Sequence, residues 1–184
     1  GGEVARATTK VRFEPNASFP EHTHDGGEEF VVLSGVWRDR WGECPKFTYV
    51  RNYIGSRHAP EIGPEGVEIF VKLRQMCVEH VENEHVCVDF SPPTADLSNL
   101  PCDRVSKELF TSPFERVYAE YLRPNSTIED VTPAGSQEII VCLGSFEDEL
   151  GEHRLHSWSR YGSDGERRVR QAGKGGCVLY VKEG

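Results

Sequence analysis

Nowhere in the 184 residues does an apolar run approach the ~18 residues that a membrane-spanning helix needs. A basic stripe is equally absent. The net charge is −9 and the pI about 5.3. The densest cationic run, Arg167-Arg168-Val169-Arg170, is short, so nothing here is built to neutralise a phosphate backbone. Nucleic acid and membrane are therefore excluded as expected partners. The opening segment, Gly1 to Lys10, has no apolar core of the secretory type, so a cytoplasmic location is expected. Six cysteines occur without a single Cys-x-x-Cys pair, which favours free thiols in a reducing compartment over a disulfide framework. Helical periodicity is also hard to find.

What the sequence does have is turns. Eighteen glycines and eleven prolines punctuate short apolar runs such as Glu29-Phe-Val-Val-Leu33 and Gln137-Glu-Ile-Ile-Val-Cys142, the pattern of an all-β protein made of sandwiches or barrels. It also repeats itself. Moving residue 15 onto residue 124, a shift of 109, lays Pro15–Gly42 on Pro124–Gly151 without a gap. Pro15/Pro124, Asn16/Asn125, Gly35/Gly144, Asp39/Asp148 and Gly42/Gly151 are among the identical pairs. After one inserted residue, Gly66–Lys72 falls on Gly176–Lys182. Turn residues recurring at equivalent places require a duplicated fold. The expected organisation is a first barrel over residues 1–90, a linker over 91–103 rich in Pro and Ser, and a second barrel over 104–184.

The densest chemistry lies in Glu21-His-Thr-His-Asp-Gly-Gly-Glu-Glu-Phe30. Residues two apart on a strand share a face, so His22 and His24 project together. Asp25-Gly26-Gly27 is a tight-turn signal, expected to fold the next strand back as a hairpin and bring Glu28 opposite His24. A fourth donor must come from elsewhere, and His58, in Gly55-Ser-Arg-His-Ala-Pro60, is the only sensible candidate in this half. Three imidazoles and a carboxylate suit a divalent transition metal, whether Zn, Fe(II), Mn, Ni or Cu. The plainer reading is a surface hairpin with scattered histidines. A second cluster, Cys77, His80, His85 and Cys87, has the composition of a zinc site. Strand parity splits its ligands between two faces, so a β-hairpin with an apolar Cys/Val face is the better account. Trp37, Tyr49, Arg51 and Arg57 fall on segments expected to line or rim the first barrel, as candidate substrate-binding residues beside ordinary packing roles.

His22-x-His24-x3-Glu28-x6-Gly35 followed by His58 resembles the two cupin motifs. More narrowly, HTHDGGEEFVVLSGVW, RNYIGSRHAP and FVKLRQM are similar to the ChrR-like cupins, a group that includes the C-terminal domain of a zinc-binding anti-sigma factor. The resemblance covers Lys10 to Met76 and, more weakly, Arg116 to Lys182. It implies two tandem jelly-roll barrels and one divalent metal, Zn or Fe(II) foremost with Mn or Ni as alternatives, held by His22, His24, Glu28 and His58. The second copy departs from this pattern. Its counterparts are Val131, Pro133, Gln137 and a residue near Arg168, so a metal-free, structural barrel is expected there.

Three functions are compatible with this reading: a dioxygenase-like metalloenzyme acting on a small oxygen-chelating molecule, a sensor acting through a protein partner, and a ligand-binding barrel without turnover. A bicupin monomer whose barrels pack on one another is the expected assembly, with a homodimer as the alternative.

Overall fold

In the computed structural model, which describes residues 5–79, 84–131, 135–162, 165 and 167–184, the chain is almost entirely β. It divides into two compact units, Gly1–Ser91 and Pro92–Gly184. The first contains strands β1 (Ala7–Phe13), β2 (His22–His24), β3 (Glu28–Asp39), β4 (Gly42–Pro45), β5 (Thr48–Asn52), β6 (Ser56–His58), β7 (Glu61–Leu73) and β8 (Val86–Asp89). Its main sheet runs β1-β7-β3-β5-β8 with β4 on the far end of β3, and β2 pairs with β6 as a separate two-stranded sheet. The second unit contains β9 (Arg104–Thr111), β10 (Arg116–Leu122), β11 (Thr127–Val131), β12 (Gln137–Asp148), β13 (Gly151–His153), β14 (Trp158–Tyr161) and β15 (Arg167–Glu183). Its sheet runs β13-β12-β15-β10-β9, with β11 on β15 and β14 on β12. Among the described residues no helix is long and apolar enough to cross a membrane.

The shift of 109 reappears as strand register. Ala7 pairs with Leu73 on β7, and Arg116, 109 residues later, pairs with Glu183 on β15. Gly35 opposes Val67 and Gly144 opposes Cys177 at a register shift in both copies. Two cupin barrels in tandem result. They differ at their extra strand: β8 extends the first sheet beside β5, whereas β9 extends the second beside β10. They differ also at Pro60, which separates β6 from β7. Proline has no N–H to give a ladder, and in the second copy, with Arg instead of Pro in this stretch, one strand runs unbroken from Arg167 to Glu183.

Each unit has its own apolar core. Alternate residues Phe30 and Val32, Val50, and Val67, Ile69 and Val71 fill the first, together with Trp37, Cys44 and Ile62. Ile139, Val141, Phe146, Leu179 and Val181 do the same in the second. Residues 91–103, read from composition as a linker, are tied down instead. Asp96 caps a short 3-10 turn (Leu97–Asn99) by accepting from the Ser98 N–H at 2.9 Å. Leu97 and Leu100 are buried, and Leu97 lies against Gly176 of β15. Two leucines that bury their side chains outweigh the Pro and Ser content around them.

Gly35 and Gly144 occupy the left-handed region, at φ 74° and 72°, and a Cβ on either would collide with a backbone carbonyl of the neighbouring strand, that of Gly66 or Gly176. Gly35→Ala and Gly144→Ala should each lower the unfolding free energy by about 2 kcal/mol, measured by urea denaturation. Gly175→Ala, where a Cβ meets nothing, should be close to neutral.

Candidate metal centre

The pairing of β2 with β6 sets His22 directly opposite His58 and His24 opposite Ser56. Strand alternation puts His24 on the same face as His22. The three rings form a triangle with centroids 4.8, 4.8 and 4.7 Å apart. One ring nitrogen from each lies within 4.8 Å of the others, a spacing suited to a single ion. The Nε2 atoms of His24 and His58 are 2.7 Å apart. Glu28 Oε2 closes the group from β3, at 3.4 Å from His24 Nε2 and 3.6 Å from His58 Nε2. The three histidines named from sequence form one cluster, and Glu28 lies against two of them, His24 and His58. They do so by a route other than the expected hairpin. Asp25–Gly27 does turn the chain, with the Gly27 N–H donating to the His24 carbonyl. β3 then joins β7 and β5 in the main sheet, and β2 takes β6 as its partner. The turn carries the chain from one sheet to the other.

The surroundings fix the donor atoms. His22 Nδ1 is 3.0 Å from the Pro20 carbonyl, and His58 Nδ1 is 3.2 Å from Asp39 Oδ2. An N–H at each Nδ1 leaves Nε2 with its lone pair toward the centre, the tautomer that binds metal. The Asp39 carboxylate also accepts the Trp37 indole N–H at 3.1 Å and the Trp41 backbone N–H at 2.9 Å. Burial works against this carboxylate, but the hydrogen bonds from His58, Trp41 and Trp37 hold it below its usual range. Asn52 Nδ2 donates to Glu28 Oε2 at 2.9 Å, and its Oδ1 lies 2.9 Å from His85 Nδ1. Neither Asn52 nor Asp39 was singled out in the sequence. Asp39 carried one signal, its identity with Asp148 in the repeat.

The candidate substrate residues separate. Tyr49 and Arg51 alternate with Val50 and Asn52, so they face away from the cluster and engage Glu29 instead, at 2.9 and 3.1 Å. Arg57, between two inward residues of β6, is exposed. Period-2 alternation removes all three from the site. Trp37 is buried in the core, with its ring 5.7 Å from that of His58. Trp41, unnamed in the sequence, stands 6.0 Å from His58 and stacks on His85 at 4.2 Å. Cys77 lies in no strand, and β8 pairs with β5, so the expected Cys77–Cys87 hairpin does not form. His80 lies outside the described residues.

The second unit offers no donor set of this kind among the described residues. Val131 is 60% exposed and sits opposite Arg167, which makes Arg167, one residue before the expected Arg168, the register counterpart of His58. Gln137 donates to Glu183, and Pro133 lies outside the described residues. Arg168 lies over the Tyr161 ring and pairs with Glu149. In place of a ligand set, Asp148 accepts from Tyr161 at 2.6 Å and holds His153 at 2.8 Å, with Ser159 at 2.8 Å from its other nitrogen.

His24 is pushed down to about 3 by burial and by the neighbouring His58 and His22, so it stays neutral at ordinary pH, as a ligand must. The sign follows. Between pH 6.5, the ordinary value for a histidine, and about 3 the unfolded chain binds a proton that the folded chain refuses. Metal-free protein should therefore lose stability as pH falls below 6.5, by at most about 1.4 kcal/mol per unit from this residue. Above 6.5 the effect vanishes. Chemical denaturation across pH should show a shallower slope for His24→Gln.

With the geometry established, comparisons place the chain. Residues 1–77 match the model of the ChrR cupin-like domain. No curated protein matches the sequence. Among solved structures, a proposed dioxygenase from Nostoc punctiforme superposes with a TM-score of 0.73 at 14% identity, covering 96% of this chain and 68% of that one. A pirin from Escherichia coli in complex with nickel(II) gives 0.72 at 12%, covering 99% and 83%. An 11S globulin from Wrightia tinctoria gives 0.69 at 10%, covering 96% and 74%. At these identities the likeness is one of fold. The chain is thus built on the cupin fold, and its residues 1–77 are similar to the ChrR cupin-like domain.

Proposed function

We propose that the first barrel holds one divalent transition metal through His22, His24, His58 and Glu28, and that the bound ion works on a small oxygen-chelating molecule in a dioxygenase-type reaction. The observation that carries the metal reading is the convergence of donors. Two Nε2 atoms face each other at 2.7 Å with a carboxylate oxygen 3.4 and 3.6 Å from them. A proton serves one such pair, whereas a metal ion engages every donor. Three histidines and one carboxylate would leave two positions on a six-coordinate ion, enough for a bidentate oxygen chelate, or for O2 beside a single oxygen donor of the substrate. The half-buried His22 marks the side on which solvent reaches the group.

A second reading is favoured by the match of residues 1–77 to the ChrR cupin-like domain. Zinc bound by all four ligands is saturated in a tetrahedral site. Such a centre would act as a structural or sensory element and signal through a protein partner.

The metal found in protein purified without added metal separates the two. Iron at about one equivalent with substrate-dependent O2 uptake supports the enzyme, and firmly held zinc without uptake supports the sensor. His24→Ala should cut metal content to near zero in either case, and unchanged content would point to another site. A second equivalent held near Val131, Gln137 and Arg167 would overturn the single-site proposal.

A further inference from the structure

The cysteine–histidine stretch that forms no hairpin places a different arrangement beside the centre. Cys44 on β4 and Cys87 on β8 come from strands that do not pair with each other, yet their Sγ atoms are 3.6 Å apart. Cys44 is buried and Cys87 exposed. His85, two residues before Cys87 and on the same side of the chain, has its Nδ1 engaged by Asn52 Oδ1, while its Nε2 is buried without a hydrogen-bond partner. Asn52 in turn donates to Glu28.

We propose that Cys44 and Cys87 are a peroxide-oxidisable dithiol, and that its oxidation state reaches the His/Glu cluster through His85 and Asn52. The second half rests on the metal reading above. The division of labour follows from burial. A small oxidant meets the exposed sulfur first, and the buried one is already within reach to resolve the product. The hydrogen bond from Cys44 and the adjacent His85 push the Cys87 thiol below its usual range, while Cys44 is pushed up as the partner that keeps its proton. Cys87 Sγ attacks one oxygen of hydrogen peroxide. The O–O bond breaks, and hydroxide leaves and takes up the Cys87 proton as water. The Cys44 sulfur then attacks the sulfenic acid on Cys87, and the S–S bond forms as the S–O bond breaks. The second hydroxide takes the Cys44 proton. Two thiols lose two electrons, and one peroxide becomes two waters.

Three of the four remaining cysteines make poor alternatives. Cys142 and Cys177 are buried, and Cys102 is exposed but hands its thiol proton to the Arg104 carbonyl. Once the disulfide forms, the Cys87 sulfur is tied to Cys44 and is no longer free beside His85. The imidazole that steadies Asn52, and through it Glu28, then has a changed neighbour. Changes to such supporting partners typically weaken metal holding by about tenfold or more.

The test treats the full chain with hydrogen peroxide, counts thiols, maps the peptides, and follows zinc release to a chromogenic chelator before and after. Two thiols should disappear, one peptide should join Cys44 to Cys87, and dithiothreitol should restore both. Cys87→Ser should lose no thiol pair, Cys44→Ser should stop at a sulfenic acid that dimedone traps on residue 87, and Cys102→Ser should behave as the unaltered chain. Zinc should leave the oxidised protein roughly tenfold faster, with no such change in Cys87→Ser. Absence of the Cys44–Cys87 peptide, or a linkage to another cysteine, overturns the dithiol. A disulfide with unchanged zinc release overturns the coupling and leaves the dithiol standing. Failure to bind zinc in either state overturns the ligand set and takes the coupling with it, whatever the thiols do.

Discussion

Two imidazole nitrogens 2.7 Å apart in a buried site need a cation between them, a proton or a metal, and the first unit is organised around that demand. Desolvation disfavours a charged imidazole at His24, which stays neutral and presents a lone pair. Neutral lone pairs aimed at one point repel, and something must hold them there. The Pro20 carbonyl holds His22, Asp39 holds His58, and Asn52 holds Glu28. Asp39 is in turn fixed by the Trp37 indole and the Trp41 N–H. Trp37 belongs to the apolar core. The path from packing to site is therefore short: core tryptophan, carboxylate, imidazole, centre.

The second copy shows what the same framework does without that demand. Asp148 stands where Asp39 stands in the repeat, and it still accepts hydrogen bonds, now from Tyr161 and His153. A buried Arg170 pairs with Glu120 at 2.9 Å and with Asp130, which also takes Arg104. These buried charges are partnered by the unit's own side chains. Buried polar groups cost stability unless they are partnered, and the two barrels meet that requirement by different means.

Much of this was legible in the sequence, because it rests on local rules. The duplication showed in turn residues, and turn geometry is set by the residues that form the turn. His22, His24, Glu28 and His58 were named from strand parity and type, and the fold clusters the three histidines with Glu28 against His24 and His58. Parity alone did not reveal which face was inward on β5. The run Thr48–Asn52 is buried throughout, so no polar–apolar alternation marks it. Tyr49 and Arg51 were consequently assigned to the site, while Asn52, one residue on, was missed. The partner of β2 was equally hidden. A Gly-Gly turn signals reversal but not whether the chain rejoins the same sheet. Asn52 and Asp39 act through contacts across 24 and 19 residues, which no spacing rule encodes.

Pro60 draws a line between the pieces that carry the donors. Three imidazoles sit on β2 and β6, a two-stranded tongue paired over only three residues a side, and the carboxylate sits on the main sheet. A ribbon that short has little cooperativity of its own. Across the break, the tongue cannot borrow ladder bonds from β7 as the unbroken β15 does in the other copy. A ligand reaching both pieces would clip a low-stability element to a high-stability one. Occupancy would then be written into the amide-exchange rates of residues 22–24 and 56–58 long before any change in the sheet behind them.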